Sequence, residues 1–258
     1  MLTGCSAQAG SAGASPSGND RPPSPRRLRV EVRETLPHDT SSFTQGLELK
    51  DDVLYEGTGL AGHSRLSAGP PGGKPSRSVS LPDALFGEGI TLAGDRVWQL
   101  TWQNGVALER DAASLKERRR VPYKGEGWGL CHQSAPDRLV MSDGSSNLTF
   151  RDPRTFAVNG TIAVREGSRP VRNLNELECT PDGAVYANIW QTDRIIRIDP
   201  ASGKVTASVD ATGLLTPAER AAGADVLNGI ASIPGTDEFW VTGKLWPKLF
   251  RVRFVPVG

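Results

Sequence analysis

No run of about 18 apolar residues occurs, so no segment is long and apolar enough to cross a membrane as a helix. Charge of one sign is also missing. The 30 Lys and Arg stand against 29 Asp and Glu, a formal net charge of +1, which removes the electrostatic case for nucleic acid as a partner. Histidine is scarce: His38, His63 and His132 are scattered, and neither HExxH nor CxxC is present, so zinc has no ligand set. No GxSxG occurs, and no serine triad can be assembled. Of three cysteines, Cys131 and Cys179 fall at similar points of neighbouring repeats. In an exported protein they can pair, and otherwise they are two buried thiols; their positions leave both readings open.

What is abundant is glycine, 29 residues, beside 37% hydrophobic residues, a balance suited to a turn-rich β protein. A short motif recurs: Gln45-Gly46-Leu47, Glu88-Gly89-Ile90, Trp128-Gly129-Leu130, Asn175-Glu176-Leu177 and Asn228-Gly229-Ile230. The fourth copy carries Glu where the others carry Gly. The steps are 43, 40, 47 and 53 residues, and 14 to 16 residues after each copy a strand-like run ends, at Gly59, Trp102, Gly144, Trp190 and Lys244. A period of this length in a β-rich chain indicates a propeller with one four-stranded sheet per repeat. The expected fold is all-β, a five-bladed propeller.

Each repeat reads as four strands, but the last stops after three, at Phe254. Leu28-Arg29-Val30-Glu31-Val32 alternates apolar and charged residues, as a half-buried strand does, and is expected to pair with Leu249–Phe254 and close the ring. The domain is therefore expected to span 28–258, after a tether at 1–27. Leu2-Thr3-Gly4-Cys5 matches a bacterial lipobox, and residues 6–27 are rich in Gly, Ser, Ala and Pro and poor in apolar groups. The charged and apolar parts of a signal peptide do not precede the match in this sequence. The expectation is a lipid anchor at Cys5 and an extracytoplasmic protein, periplasmic or at the surface of a bacterium.

Side chains alternate along a strand, so the first residue of each inner motif faces away from its neighbours. Gln45, Glu88, Trp128, Asn175 and Asn228 are expected at one mouth of the channel, joined there by Trp102, Trp190 and Lys244 from the ends of the second strands. One carboxylate, one ammonium, several amides and three indoles make a small pocket with apolar walls and few directed hydrogen bonds. Inside such walls the Glu88 pKa is expected to rise, which suits a group that takes and returns a proton near neutrality.

The segments Phe43-Thr44-Gln45-Gly46-Leu47, Phe86-Gly87-Glu88-Gly89-Ile90-Thr91, Gln99-Leu100-Thr101-Trp102, Gly127-Trp128-Gly129-Leu130, Leu174-Asn175-Glu176-Leu177-Glu178, Asn188-Ile189-Trp190-Gln191-Thr192-Asp193, Leu227-Asn228-Gly229-Ile230-Ala231 and Val241-Thr242-Gly243-Lys244-Leu245-Trp246-Pro247 resemble the plant-type glutaminyl cyclases. These are five-bladed propellers, also found in bacteria and unrelated to the zinc-dependent animal enzymes. The resemblance runs from about Phe43 to Phe254. It implies conversion of N-terminal glutamine on peptides to pyroglutamate with release of ammonia. It also implies a substrate pocket formed by Phe43, Gln45, Phe86, Glu88, Trp102, Trp128, Asn175, Trp190 and Lys244, with no departure among the nine. The departures are the lipobox-like tether and the Pro/Gly-rich loop from Ala68 to Pro75.

In the reaction so implied, the α-amine attacks the γ-carbonyl of its own residue, so positioning lowers the barrier. Glu88 is expected to carry the proton from the amine to the departing ammonia, and Lys244, Asn175 and Gln45 are candidate donors to the oxyanion. Phe43, Phe86, Trp102, Trp128 and Trp190 would hold the substrate. No metal or cofactor is expected in catalysis, although the many Asn, Asp and carbonyl groups allow a structural calcium ion in the channel. A monomer is expected. The rival reading is a lipid-tethered, non-catalytic propeller that binds a peptide or small ligand at its channel mouth; it needs the Trp and Asn residues but not Glu88 as a proton carrier. A calcium-dependent hydrolase would need several channel carboxylates, of which only Glu88 is placed by the motif.

Overall fold

The computed structural model describes Met1, Gly4 and residues 24–258. Cys5 and nearly all of the expected tether lie outside the described residues. Almost all regular structure is strand, in chain order β1 (Arg26–Pro37), β2 (Thr44–Lys50), β3 (Val53–Thr58), β4 (Arg65–Gly69), β5 (Arg77–Ser80), β6 (Gly87–Ala93), β7 (Arg96–Thr101), β8 (Val106–Asp111), β9 (Glu117–Pro122), β10 (Leu130–Ser134), β11 (Asp137–Met141), β12 (Asn147–Arg151), β13 (Val158–Ala163), β14 (Arg165–Glu166), β15 (Arg169–Pro170), β16 (Leu174–Cys179), β17 (Val185–Ile189), β18 (Arg194–Asp199), β19 (Lys204–Asp210), β20 (Leu227–Ser232), β21 (Glu238–Gly243) and β22 (Lys248–Pro256). The strands expected from the repeat all occur. One short helix, α1 (Pro217–Ala221), and the β14–β15 hairpin were not anticipated. Helix α1 carries its own local signal: Thr216 and Glu219 form a capping box, with Pro at the start.

Turns form at three aspartates by hydrogen bonds from the following backbone to the side chain. Asp111, Asp152 and Asp199 accept the backbone N–H of Ser114, Thr155 and Ala201 through Oδ1, at 2.8, 2.7 and 3.0 Å. Four residues after each aspartate the chain passes through positive φ, at Leu115 (60°), Phe156 (64°) and Gly203 (71°).

β2–β5, β6–β9 and β10–β13 form three four-stranded antiparallel sheets. The fourth sheet has ten strands and runs β16-β17-β18-β19-β1-β22-β21-β20, with the β14–β15 hairpin attached to β19. β1 pairs antiparallel to β22 from Leu28↔Pro256 to Pro37↔Lys248. The expected closing strand is thus present, and longer than Leu28–Val32. β1 also runs parallel to β19 over Arg26–Arg29, which joins two successive strand groups into one sheet.

Core clusters fill the space between successive groups. Tyr55 and Leu66 meet Ile90 and Val97; Trp98 and Leu100 meet Leu130 and Met141; Val140 and Leu148 meet Leu177 and Val185. Ile195 and Val209 meet Ile230 and Phe250, and Leu47 meets Ala231, Trp240 and Leu249, returning from the last group to the first. The inner strands touch in the same cyclic order: β2, β6, β10, β16, β20 and β2 again. Cys131 on β10 and Cys179 on β16 are disulfide-bonded, with Cα atoms 5.4 Å apart, which decides between the two open readings.

Glycine in the inner motif reflects backbone contact. A Cβ on Gly89 would lie 2.6 Å from the Trp128 carbonyl oxygen, and one on Gly129 would collide with the carbonyl of Asn175. At the fourth copy the gap is crossed by a side chain instead. Glu176 accepts the N–H of Leu47 on β2 (3.2 Å) and of Ile230 on β20 (2.9 Å), so one carboxylate ties three inner strands together.

Candidate active site

Glu88 lies on β6 and is 4% exposed. Its Oε1 accepts from Gln45 Nε2 at 2.9 Å. Gln45 is held in turn: its Oε1 accepts from Asn228 Nδ2 at 3.1 Å, and that amide also donates to the Thr44 carbonyl at 3.0 Å. Glu88 Oε2 is buried and has no partner among the described residues. Burial pushes the Glu88 carboxyl well above the usual carboxylate range; Lys244 opposes that shift and Glu126 adds to it. Burial in turn lowers the pKa of Lys244, against the pull of Glu88.

The chain before Gln45 is anchored by a partly buried ion pair. His38 Nδ1 meets the Trp246 carbonyl at 2.8 Å and Nε2 meets Glu56 Oε1 at 3.1 Å. Both partners only accept, so both ring nitrogens carry protons. Burial opposes that charge, but the bond to Glu56 outweighs it together with the other nearby acceptors, and the His38 pKa is raised. Ser42 and Thr44 also donate to Glu56, at 3.1 and 2.7 Å. This holds the segment that carries Phe43 and Gln45.

The aromatic walls form two sets. Phe43 meets Phe86 edge-on at 6.2 Å, Phe86 meets Trp102 at 5.5 Å, and Lys244 Nζ stands 4.6 Å from the Phe43 ring centre. Trp128 meets Trp190 edge-on at 5.4 Å. Asn175, 2% exposed, joins through its backbone: Gly129 N–H donates to Ser142 Oγ, which donates to the Asn175 carbonyl, both at 2.7 Å. Phe43, Phe86, Trp102 and Lys244 thus stand together, Gln45 stands with Glu88 and Asn228, and Trp128 stands with Trp190.

Two residues of this neighbourhood were not anticipated. Glu126 precedes Trp128 by two positions and accepts from the indole N–H groups of Trp102 and Trp128, at 2.8 and 2.9 Å. A carboxylate between Gly125 and Gly127, beside a motif residue, was the available signal. Asn188 is fully buried; its Oδ1 accepts from the Gly229 N–H at 3.2 Å and its Nδ2 has no partner among the described residues. It sits in the quoted run Asn188-Ile189-Trp190, but only as a frame residue.

Besides Glu88, the inner strands hold Glu48, Glu176 and Glu178. Each accepts backbone N–H groups: from Leu92 for Glu48, from Leu47 and Ile230 for Glu176, and from Ser232 for Glu178. Among the described residues, no three His, Cys, Asp or Glu side chains are grouped so as to hold a metal ion. A cleft of about 1470 Å³ lies elsewhere, beside Arg27, Arg169 and Asp210, and none of the nine residues lines it.

A family model described as glutamine cyclotransferase matches residues 2–254. The chain is 39% identical over 246 residues to the glutaminyl-peptide cyclotransferase of Arabidopsis thaliana, an alignment covering 92% of this chain and 75% of that protein. The crystal structure of Myxococcus xanthus glutaminyl cyclase superposes with a TM-score of 0.80 at 38% identity, over 91% of this chain and 100% of the other. The β-propeller domain of Myceliophteria thermophila Cps50 (Swd1) matches with a TM-score of 0.50 at 9% identity, over 86% of this chain and 99% of the other, a likeness of fold alone.

Proposed function

The chain belongs to the glutamine cyclotransferase family, and on that premise we propose that it is a glutaminyl-peptide cyclotransferase whose chemistry centres on Glu88. The observation that carries the assignment of roles is the asymmetry of the Glu88 carboxyl. One oxygen is fixed by Gln45 and the other is buried without a partner among the described residues. A carboxyl with a raised pKa is matched to a peptide α-amine, which titrates near about 8.

The α-amine nitrogen of the substrate forms a bond to its own γ-carbonyl carbon. Glu88 Oε2 takes a proton from that nitrogen and delivers it to the amide nitrogen, whose bond to carbon breaks as ammonia leaves. The walls of Phe43, Phe86, Trp102, Trp128 and Trp190 keep the side chain folded on its amine. Lys244 and Asn175 are the donors assigned to the oxyanion. Gln45 commits its amide N–H to Glu88, so its role is to orient the carboxyl. The reaction requires no metal ion.

The scaffold is a five-bladed ring formed by residues 28–258. Five inter-sheet core clusters and the cyclic order of inner-strand contacts support it. One chain supplies every assigned group, so a monomer is active. Ahead of the ring, Cys5 carries a lipid that holds the enzyme outside the cytoplasm, a reading that rests on the Leu2–Cys5 pattern.

The test is ammonia and pyroglutamate release from a glutamine-initiated dipeptide, with and without a strong chelator. Equal rates in both arms are expected. Absence of product from a folded protein would overturn the assignment, and loss of activity that only zinc restores would overturn the chemistry.

A further inference from the structure

Glu126 lies in the loop between β9 and β10, in the run Gly125-Glu126-Gly127-Trp128. Three N–H groups converge on its carboxylate. Trp102 Nε1 and Trp128 Nε1 both reach Oε2, at 2.8 and 2.9 Å, and Gln103 Nε2 reaches Oε1 at 2.8 Å. The loop backbone is tied to the same place: Gly127 N–H donates to the Trp102 carbonyl at 3.0 Å. A side chain at 127 would strike the Tyr123 hydroxyl, which itself donates to the Thr101 carbonyl. The loop is therefore built to bring Glu126 to the two indoles.

Those indoles need holding. Trp102 is 37% exposed, and an exposed side chain has rotamers to lose when it becomes a wall. Trp102 packs on Phe86, whereas Trp128 packs on Trp190, so the carboxylate is also the bridge between the two aromatic sets. Hydrogen bonds to an ionised acceptor are the stronger kind. Glu126 stays ionised because the Gln103 amide, followed by the two indoles, lowers its pKa against the effect of burial.

We propose that Glu126 is a positioning residue of the cyclisation site, a single anionic clamp that fixes the Trp102 and Trp128 walls to each other and places negative charge in the field at Glu88. The proposal rests on the cyclotransferase reading. The charged and titratable groups that act on Glu88 or feel its charge are Lys244, Glu126 and Tyr123. Of these, Glu126 is the anion whose removal eases the ionisation of Glu88.

The experiment compares wild type, Glu126→Ala and Glu126→Gln. In ¹⁵N-labelled protein the indole N–H signals of Trp102 and Trp128, assigned by substitution of each Trp, are followed together with kcat, KM and the pH profile of kcat/KM. In Glu126→Ala both indole signals are expected to move, and KM to rise roughly tenfold with a smaller change in kcat. In Glu126→Gln one acceptor survives but the charge is gone. KM should rise less, while the acidic limb of kcat/KM moves down by about 0.3 to 1 pH unit. A loop with a merely structural role would not move that limb. Unshifted indole signals, or wild-type KM and an unmoved limb in both variants, would overturn the proposal. A wild-type protein that releases no ammonia would overturn the cyclotransferase reading instead; the indole signals report the clamp in either case.

Discussion

Glu88 and Glu176 are both buried carboxylates on inner strands, and they end differently. Glu176 spends both oxygens on backbone N–H groups of β2 and β20, whereas Glu88 spends one oxygen on Gln45 and keeps the other unpartnered among the described residues. Burial raises the pKa of both. The difference therefore lies in satisfaction, not in desolvation. A carboxylate whose oxygens are both bonded acts as a brace. One with a free buried oxygen costs stability and is available to a substrate proton. Glu178 falls between the two, since Ser232 donates its N–H and its hydroxyl to the same oxygen, Oε1.

The sharpest way to break this contrast is Glu88→Gln. It preserves shape and cannot shuttle a proton, so kcat should fall about 100- to 10,000-fold with little change in KM and Tm. Near-wild-type kcat in a folded variant would remove Glu88 from the chemistry.

Glu176→Ala should show the opposite signature. It leaves the N–H groups of Leu47 and Ile230 buried without acceptors, at about 1–3 kcal/mol each, so Tm should drop by roughly 5–15 °C. A Tm within about 2 °C of wild type would show that the brace is not holding the strands.

Gln45→Ala tests the bonded half of Glu88. Roughly tenfold loss of kcat is expected, with a small change in Tm, because the carboxyl loses orientation but not its proton chemistry. A rise in KM alone would assign Gln45 to substrate binding instead.

The smallest effect is in pH dependence. Burial raises Glu178 to about 8, and the half-buried Glu48 to about 7. In the unfolded chain both titrate near about 4.3. Between that value and the folded pKa the unfolded state has released a proton that the folded state keeps, so stability falls as pH rises through this window. The slope is up to about 1.4 kcal/mol per pH unit for Glu178, and the raised pKa of His38 acts in the same direction. Tm measured between about pH 5 and 9 should decline, and Glu178→Gln should flatten the decline. An equal slope in that variant would separate Glu178 from the effect.

Local order carried most of the strand map. The Gly-centred motif, the second-strand ends and the aspartate turns depend on alternation and turn chemistry within a few residues, and these are legible along the chain. The alternating run Leu28–Val32 even announced its partner, because the last repeat lacked an outer strand. The nine residues expected to line the pocket could be named for the same reason: each holds an equivalent place in its repeat or in the segments that resemble the glutaminyl cyclases.

What the sequence by itself determined was therefore the repeat and its strands, and it named the side chains expected at one mouth of the channel. Ring closure decided the rest. The Cys131–Cys179 bond, the reach of Glu176 to β2 and β20, the parallel seam of β1 with β19, and the convergence of Trp102 and Trp128 on Glu126 all join different strand groups. Such contacts depend on how far one sheet is rotated and displaced against the next. That relation is set by packing of the whole ring, and no local pattern in the chain encodes it.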